Sequence, residues 1–314
     1  MASISMPGGS TLVVGSQSDV ITVFGSGTVT AGDGTDALDV KGAGKVVVGN
    51  GNDTVTIEGN GTVTAGSGKD VITIYDNGSV SAGNGSETIT LGGNGSVAAG
   101  SGNDLITIHG NGAISVGGGN DTLSLYGSSS GTINQTGSSA HDTINLGTGS
   151  DTIYEAGHAT VYGSFGSASI SGGEVQISLS SGVNEDIAVS GSVTLVGSST
   201  HTEFVGGSGS AVLKGGSGHD TFVGGSGYDT MSGVGSGNVF EFLSTAQGGQ
   251  HVISNFVSGD QLYIEGYSLS TLQSAHDVTT HSGNTYISID GGKTTIELQG
   301  YTSLKTGDIT THKA

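Results

Sequence analysis

The chain has no cysteine, no tryptophan and no arginine, and a single proline, Pro7. Without cysteine there is no disulfide framework and no thiol chemistry, and nothing is said of redox compartment. Seven basic residues, all lysine, stand against 27 acidic ones, a formal charge of −20. That deficit argues against a nucleic-acid surface, because phosphates select cationic patches. It also argues against an anionic membrane as partner. No apolar run approaches the roughly 18 residues of a membrane span, so insertion is not expected. The opening MASISMPGGSTLVV lacks the basic start and long apolar core of a secretory signal. What is plentiful is glycine, 62 of 314 residues. Such content can mean a disordered low-complexity chain, but here the glycines are periodic and alternate with Val and Ile.

The period is 17 residues. GNGNDTVTIEGNGTVTA and GSGKDVITIYDNGSVSA follow one another without a gap, and a fixed period this short implies stacked copies of one unit. Each copy opens with a turn of the form G-x-G-x-D/E, although the first reads GSQSD. The acidic residues that close these turns are Asp19, Asp36, Asp53, Asp70, Glu87, Asp104 and Asp121. After each comes a pair of apolar residues at alternate positions, for example Val55 and Ile57, Ile72 and Ile74, Ile89 and Leu91. Period-two alternation predicts a half-buried strand. A second short strand follows a second turn, with Val63 and Ala65, Val80 and Ala82, or Val97 and Ala99 inward.

Turn, strand, turn, strand, repeated in phase, predicts an all-β fold: a flattened parallel β-solenoid with a thin aliphatic core. Coils should lie about 4.8 Å apart, the spacing of paired strands. Glycine allows positive φ in the tight turns and close approach of successive backbones. The second turn carries Asn60, Asn77, Asn94 and Asn111, each followed by Gly. Asn-Gly suits a turn with positive φ at both central residues, and stacked Asn side chains predict a hydrogen-bonded ladder with a structural role.

Five segments follow from these patterns. Residues 1–14 form an N-terminal cap and 15–136 the 17-residue-repeat solenoid. Residues 137–205 form an irregular Gly/Ser-rich continuation, opened by an insertion within GSSSGTINQTGSSAHD. It begins with the closely spaced Asp142 and Asp151, then lacks the Asp-ended turn, which predicts continued strands with few ion sites. Residues 206–235 hold GGSGHDTFV and GGSGYDTMS, ending their turns on Asp220 and Asp229. Residues 236–314 lose glycine and gain aromatics, among them Phe240, Phe242, Phe256 and Tyr301, and read as a β cap that closes the open strand edges of a solenoid end.

A carboxylate at one phase of every coil is a column of like charge, tolerable only with a cation between the members. Ca²⁺ suits it: six to eight oxygen ligands in flexible geometry, drawn from carboxylates and the converging carbonyls of glycine turns. Mg²⁺ demands stricter octahedral geometry. Zn²⁺ favours His or Cys, and the nine His show no ligand spacing.

GGSGHDTFV and GGSGYDTMS resemble the RTX nonapeptide GGxGxDxUx, a Ca²⁺-binding parallel β-helix repeat. The 17-residue units are similar to it, with one of two turns per coil keeping the metal motif. NVFEFL, VISNFVSGDQLYI and TYISIDGGKTTIELQGYTSL resemble RTX end modules. The resemblance implies Ca²⁺ ligands at Asp36, Asp53, Asp70, Asp104, Asp121, Asp151, Asp220 and Asp229, with Asp19 and Asp142 in poorer copies. Glu87 departs from the motif, and its longer side chain is expected to shift or weaken its site. The resemblance also implies type I secretion by an uncleaved C-terminal signal, and hence an extracellular or cell-surface location.

The expected function is a secreted calcium-binding structural or adhesion protein whose solenoid folds on Ca²⁺ outside the cell. Expected partners are Ca²⁺ ions, a cell-surface or extracellular polysaccharide, or further copies of the chain. Two alternatives remain. An ice-binding face is suggested by the outward column Thr22, Asp39, Thr56, Thr73, Thr90, Thr107 and Ser124, although Asp39, Lys41 and Lys45 roughen it. A sugar-binding edge is suggested by Phe24, Lys41, Glu58, Tyr75, His109 and Tyr126 in one outward column. Enzymatic activity is not expected: there is no HExxH and no long non-repetitive region to house a catalytic domain.

Overall fold

Alternating apolar residues and glycine turns generate the predicted coil throughout the first of two compact units, Met1–Thr160. The computed structural model describes residues 2–127, 131–136, 141–147, 150–163, 167–179, 186–197, 201–244 and 248–312. The insertion expected within 127–142 lies partly outside them. Almost all elements are strands, stacked in parallel as a β-solenoid.

In the first unit, one sheet runs Ala2–Pro7, Asp19–Phe24, Ala37–Val40, Thr54–Ile57, Val71–Ile74, Thr88–Leu91, Leu105–Ile108, Thr122–Leu125 and His141–Leu146. The other runs from Ser10–Val13 through Gly27–Thr30 and its repeats to Gly131–Gln135 and the start of Ser150–Gly163. Each strand pairs in parallel with its counterpart one coil away, as in Thr54↔Val71, Val55↔Ile72, Thr56↔Thr73 and Ile57↔Ile74. The register holds because a slip of one residue would turn every inward side chain to solvent. Most of the expected inward set is buried: Val55, Ile57, Val63, Ile72, Ile74, Ile89 and Leu91 fully or almost fully, whereas Ala82 and Ala99 of the second strand are only half-buried.

The two turns per coil use glycine differently. In the acidic turn, Gly68 has φ +153°, and a Cβ there would overlap the Gly51 carbonyl oxygen of the preceding coil. At the Asn-Gly turn the expectation of positive φ is not met. Neither Asn60, Asn77, Asn94 and Asn111 nor the glycines after them have it. Glycine is required there by the core instead: a Cβ on Gly61 would lie 2.7 Å from Ile57 Cδ1. The Asn ladder forms, but from side chain to backbone. The Asn77 N–H donates to Asn60 Oδ1 at 3.1 Å, Asn94 to Asn77 at 2.8 Å and Asn111 to Asn94 at 2.8 Å.

The second unit, Val161–Ala314, is also a stack of parallel strands. The Gly/Ser-rich middle forms strands as expected, but longer than the alternations suggested: Ser167–Leu179 and Asp186–Val196 pair in parallel. The two nonapeptides form one coil, with Thr221–Gly224 in one sheet and Tyr228–Ser232 in the other. The core here is aromatic. Phe204, Phe222 and Phe240 are in register, with ring centroids 5.0 and 4.8 Å apart, close to the strand spacing. Phe256 continues the stack at a tilt from Phe240 and meets Tyr301 edge-on. Aromatic packing thus starts before the segment read as the cap. The parallel stack stops where Thr294–Leu298 takes Asn284–Ile289 as an antiparallel neighbour, followed by Val278–His281. A short helix, Leu269–Ser274, is capped by Ser268, whose hydroxyl accepts from the Thr271 N–H.

Candidate metal centre

The acidic turn delivers its carboxylate to the inside of the coil. Asp36, Asp53, Asp70, Glu87 and Asp121 are each 1% exposed, and Asp19, Asp104, Asp142 and Asp151 are buried almost as deeply. The reason is a ladder. The Asp36 N–H donates to Asp53 Oδ1 at 2.8 Å, and Asp53 to Asp70 at 2.9 Å. Asp19 donates likewise to Asp36, Glu87 to Asp104, Asp104 to Asp121, and Asp121 to Asp142. The carboxylates of Asp36, Asp53, Asp70, Asp104, Asp121 and Asp142 therefore each cap a backbone donor of the preceding coil. The turn Asn and Ser side chains run the opposite way: the Ser67 N–H donates to Asn50 Oδ1, and Asn120 to Asn103 Oδ1.

One oxygen per aspartate is used by the ladder. The other is buried without a hydrogen-bond partner at Asp36, Asp53, Asp70, Asp104, Asp121, Asp151 and Asp220. A buried ionised oxygen with no partner is costly. Two like charges about 5 Å apart repel by about 3 kcal/mol at an effective dielectric of about 20. Burial accordingly pushes Asp53 up to about 6, against the Asp36 N–H that favours the anion, and Asp121 up to about 7. Asp151 rises to about 6 from burial, and Asp36, Asp70 and Asp220 rise for the same first reason. Among the described residues no three acidic or histidine side chains converge on one point. A cation here would complete its shell from turn carbonyls, as hard oxygen-seeking ions do.

Not every predicted ligand joins one column. Asp142 continues the main column, but Asp151 lies in register with Gly131 on the other sheet. The nonapeptide aspartates likewise separate. Asp220 stands between Thr202, whose N–H it accepts at 3.0 Å, and Asn238, to which its own N–H donates at 3.0 Å. Asn238 in turn donates to Asp260 Oδ1. Asp229 belongs to the other sheet, in register with His251. Its Oδ2 lies 3.1 Å from His251 Nδ1, both side chains are buried, and the Phe242 ring packs on the imidazole. Asn238, Asp260 and His251 were not singled out by sequence. The available signal was spacing, since Asn238 follows Asp220 by 18 residues, the length of two nonapeptides.

On the outer face Thr56, Thr73, Thr90 and Thr107 are in register over four coils. The column is interrupted at Asp39, where Lys41 Nζ bridges Asp39 at 2.9 Å and Glu58 at 2.7 Å. Phe24, Tyr75 and Tyr126 are more than half exposed, and His109 packs against Tyr126 with ring centroids 5.8 Å apart.

No protein-family model matches this chain, and no curated protein does. Among solved structures, the extracellular lipase LipA from Serratia marcescens is similar over 71% of this chain, at 16% identity and a TM-score of 0.31. The match spans 39% of that lipase's length.

Proposed function

We propose that this is a secreted, RTX-type calcium-binding protein with a structural or adhesive role, whose solenoid folds when Ca²⁺ fills the carboxylate column. The observation that carries the reading is the set of buried, unpartnered carboxylate oxygens repeating coil after coil. Asp36, Asp53, Asp70, Glu87, Asp104 and Asp121 would hold ions with turn carbonyls, and the bound ion would supply the charge that lets neighbouring carboxylates ionise together. Asp19, Asp142, Asp151, Asp220 and Asp229 extend the set at its ends and on the second edge. Extracellular Ca²⁺ modules bind at roughly 0.1–1 mM. A few mM ion then adds about 1 kcal/mol per site by mass action, and several coupled sites decide whether the fold forms. Inside a cell such sites stay empty and the chain stays export-competent.

The test is far-UV circular dichroism of the whole chain during a Ca²⁺ titration, with Mg²⁺ as control. The expected result is a cooperative gain of β signal near millimolar Ca²⁺ and none with Mg²⁺. A full β signal in excess chelator at pH 7 would falsify the folding switch. Ice binding is a second reading, favoured by the in-register Thr56, Thr73, Thr90 and Thr107. It predicts thermal hysteresis of the Ca²⁺-loaded protein, and normal freezing removes it.

A further inference from the structure

The column is not uniform, and its irregularity is at Glu87. Asp36, Asp53, Asp70, Asp104 and Asp121 each spend Oδ1 on an N–H of the preceding coil and keep Oδ2 buried without a hydrogen-bond partner. Glu87 breaks the rule. It is 1% exposed, yet both Oε1 and Oε2 are buried without a hydrogen-bond partner. The ladder step from the Asp70 N–H to residue 87 is missing among the described residues, although Glu87 itself donates to Asp104 Oδ1 at 3.0 Å. The extra methylene carries the carboxyl past the donor that an aspartate would reach.

Two features show where that carboxyl goes. The Glu87 N–H donates to Asp104 Oδ1 at 3.0 Å, and both side chains are buried, which makes the two carboxyls neighbours out of water in successive coils. The Glu87 carboxyl also lies over its own turn. A Cβ on Gly85 would overlap the Gly68 carbonyl oxygen of the preceding coil and press on Glu87 Oε1, so these two oxygens are neighbours over the turn. A cradle of oxygens from a carboxylate and a backbone carbonyl, beside a second carboxylate, is the donor set of a hard divalent cation.

We propose that Glu87 forms the tightest cation site of the column, holding a divalent ion through both of its oxygens together with Asp104. Sequence alone suggests the reverse, a weakened site, because the family motif has aspartate here. The geometry differs in that two free oxygens, rather than one, meet a neighbouring carboxylate. Removing that buried repulsion adds to the binding of the ion. The Glu87 ion would be the first bound and the last lost, and would set the nucleus from which ordering spreads to the flanking coils.

This inference rests on the calcium reading, and the experiment separates the two. The whole chain is dialysed against buffers of decreasing free Ca²⁺, and retained calcium is counted by atomic emission. Wild type should show several weaker ions and one retained at lower free Ca²⁺. Glu87→Gln, which keeps the shape and removes the charge, should shift loss of that last ion to free Ca²⁺ higher by about tenfold, since ligand charge sets affinity in such sites. Asp53→Asn should leave it in place and remove one of the weaker ions. Should Glu87→Gln fail to give a β signal at saturating Ca²⁺, Glu87→Asp serves instead. It restores the ladder bond and the charge but withdraws the second free oxygen, and should fold while losing the tight class. If wild type retains no calcium at millimolar free ion, the calcium reading fails. If wild type binds several ions and the variants keep the tight class, the calcium reading stands and the assignment to Glu87 is overturned.

Discussion

At the scale of the residue, one side chain has two tasks. Asp53 offers Oδ1 to the Asp36 N–H and leaves Oδ2 buried and free. The tasks are separable by substitution. Asp53→Asn keeps an acceptor for the Asp36 donor and removes the charge, so it should fold with fewer ions. Asp53→Ala strands the donor as well and should be less stable than the Asn variant by about 1–3 kcal/mol, the cost of an unmet buried polar group. Urea unfolding in saturating Ca²⁺ measures the difference. The same carboxyls dictate a pH response of the ion-free protein. Asp53 and Asp151 are pushed to about 6 and Asp121 to about 7, from an ordinary value of 3.8. Between those limits the folded chain holds protons that the unfolded chain has released, so stability falls as pH rises. In chelator, the β signal should be strongest near the ordinary carboxyl value and fade as pH passes through these raised values. With Ca²⁺ it should persist at neutrality, with protons released on binding. A chelated protein whose melting temperature rises over this window contradicts the raised carboxyls.

At the scale of the element, the two glycine turns make different demands. Gly68 lies against the backbone oxygen of Gly51, which cannot move without breaking the stack. Gly61 lies against the end of the Ile57 side chain, which can rotate. Gly68→Ala should therefore prevent folding of the coils around it even in saturating Ca²⁺. Gly61→Ala should cost about 1–3 kcal/mol, the range of overpacking in a core. Circular dichroism and chemical unfolding of the two variants distinguish these outcomes, and equal effects would mean that both turns are limited by the same contact.

At the scale of the whole molecule, the two units rest on different terms. Met1–Thr160 holds the long carboxylate column over a thin aliphatic core, whereas Val161–Ala314 holds Asp220 and Asp229 beside a stack of buried Phe rings. Stacked repeats lose cooperativity when neighbouring segments differ in stability. Calorimetry should show a low transition that moves strongly with Ca²⁺ and a higher one that moves little. Phe222→Ala, which removes the middle ring of the stack, should lower the second transition by an amount equivalent to about 3–5 kcal/mol. A single transition that shifts as one with Ca²⁺ would show the units to be energetically continuous.

The sequence by itself determined the solenoid, its 17-residue coil and the inward residues, because period-two burial and an exact repeat leave one way to stack. It also placed the acidic column, since residues at equal phase must superimpose. It did not determine what the carboxylates touch. That Asp53 caps the preceding coil, that Glu87 overshoots its donor, and that Asp229 meets His251 while Asp220 meets Asn238 depend on which atoms of different coils come within hydrogen-bonding distance. Nor did it separate the two reasons for glycine, backbone contact at Gly68 and core contact at Gly61. Phase along the chain fixes which residues stack; the distance across each stack, a fraction of a side-chain length, decides whether an oxygen is spent on a neighbour or left for an ion.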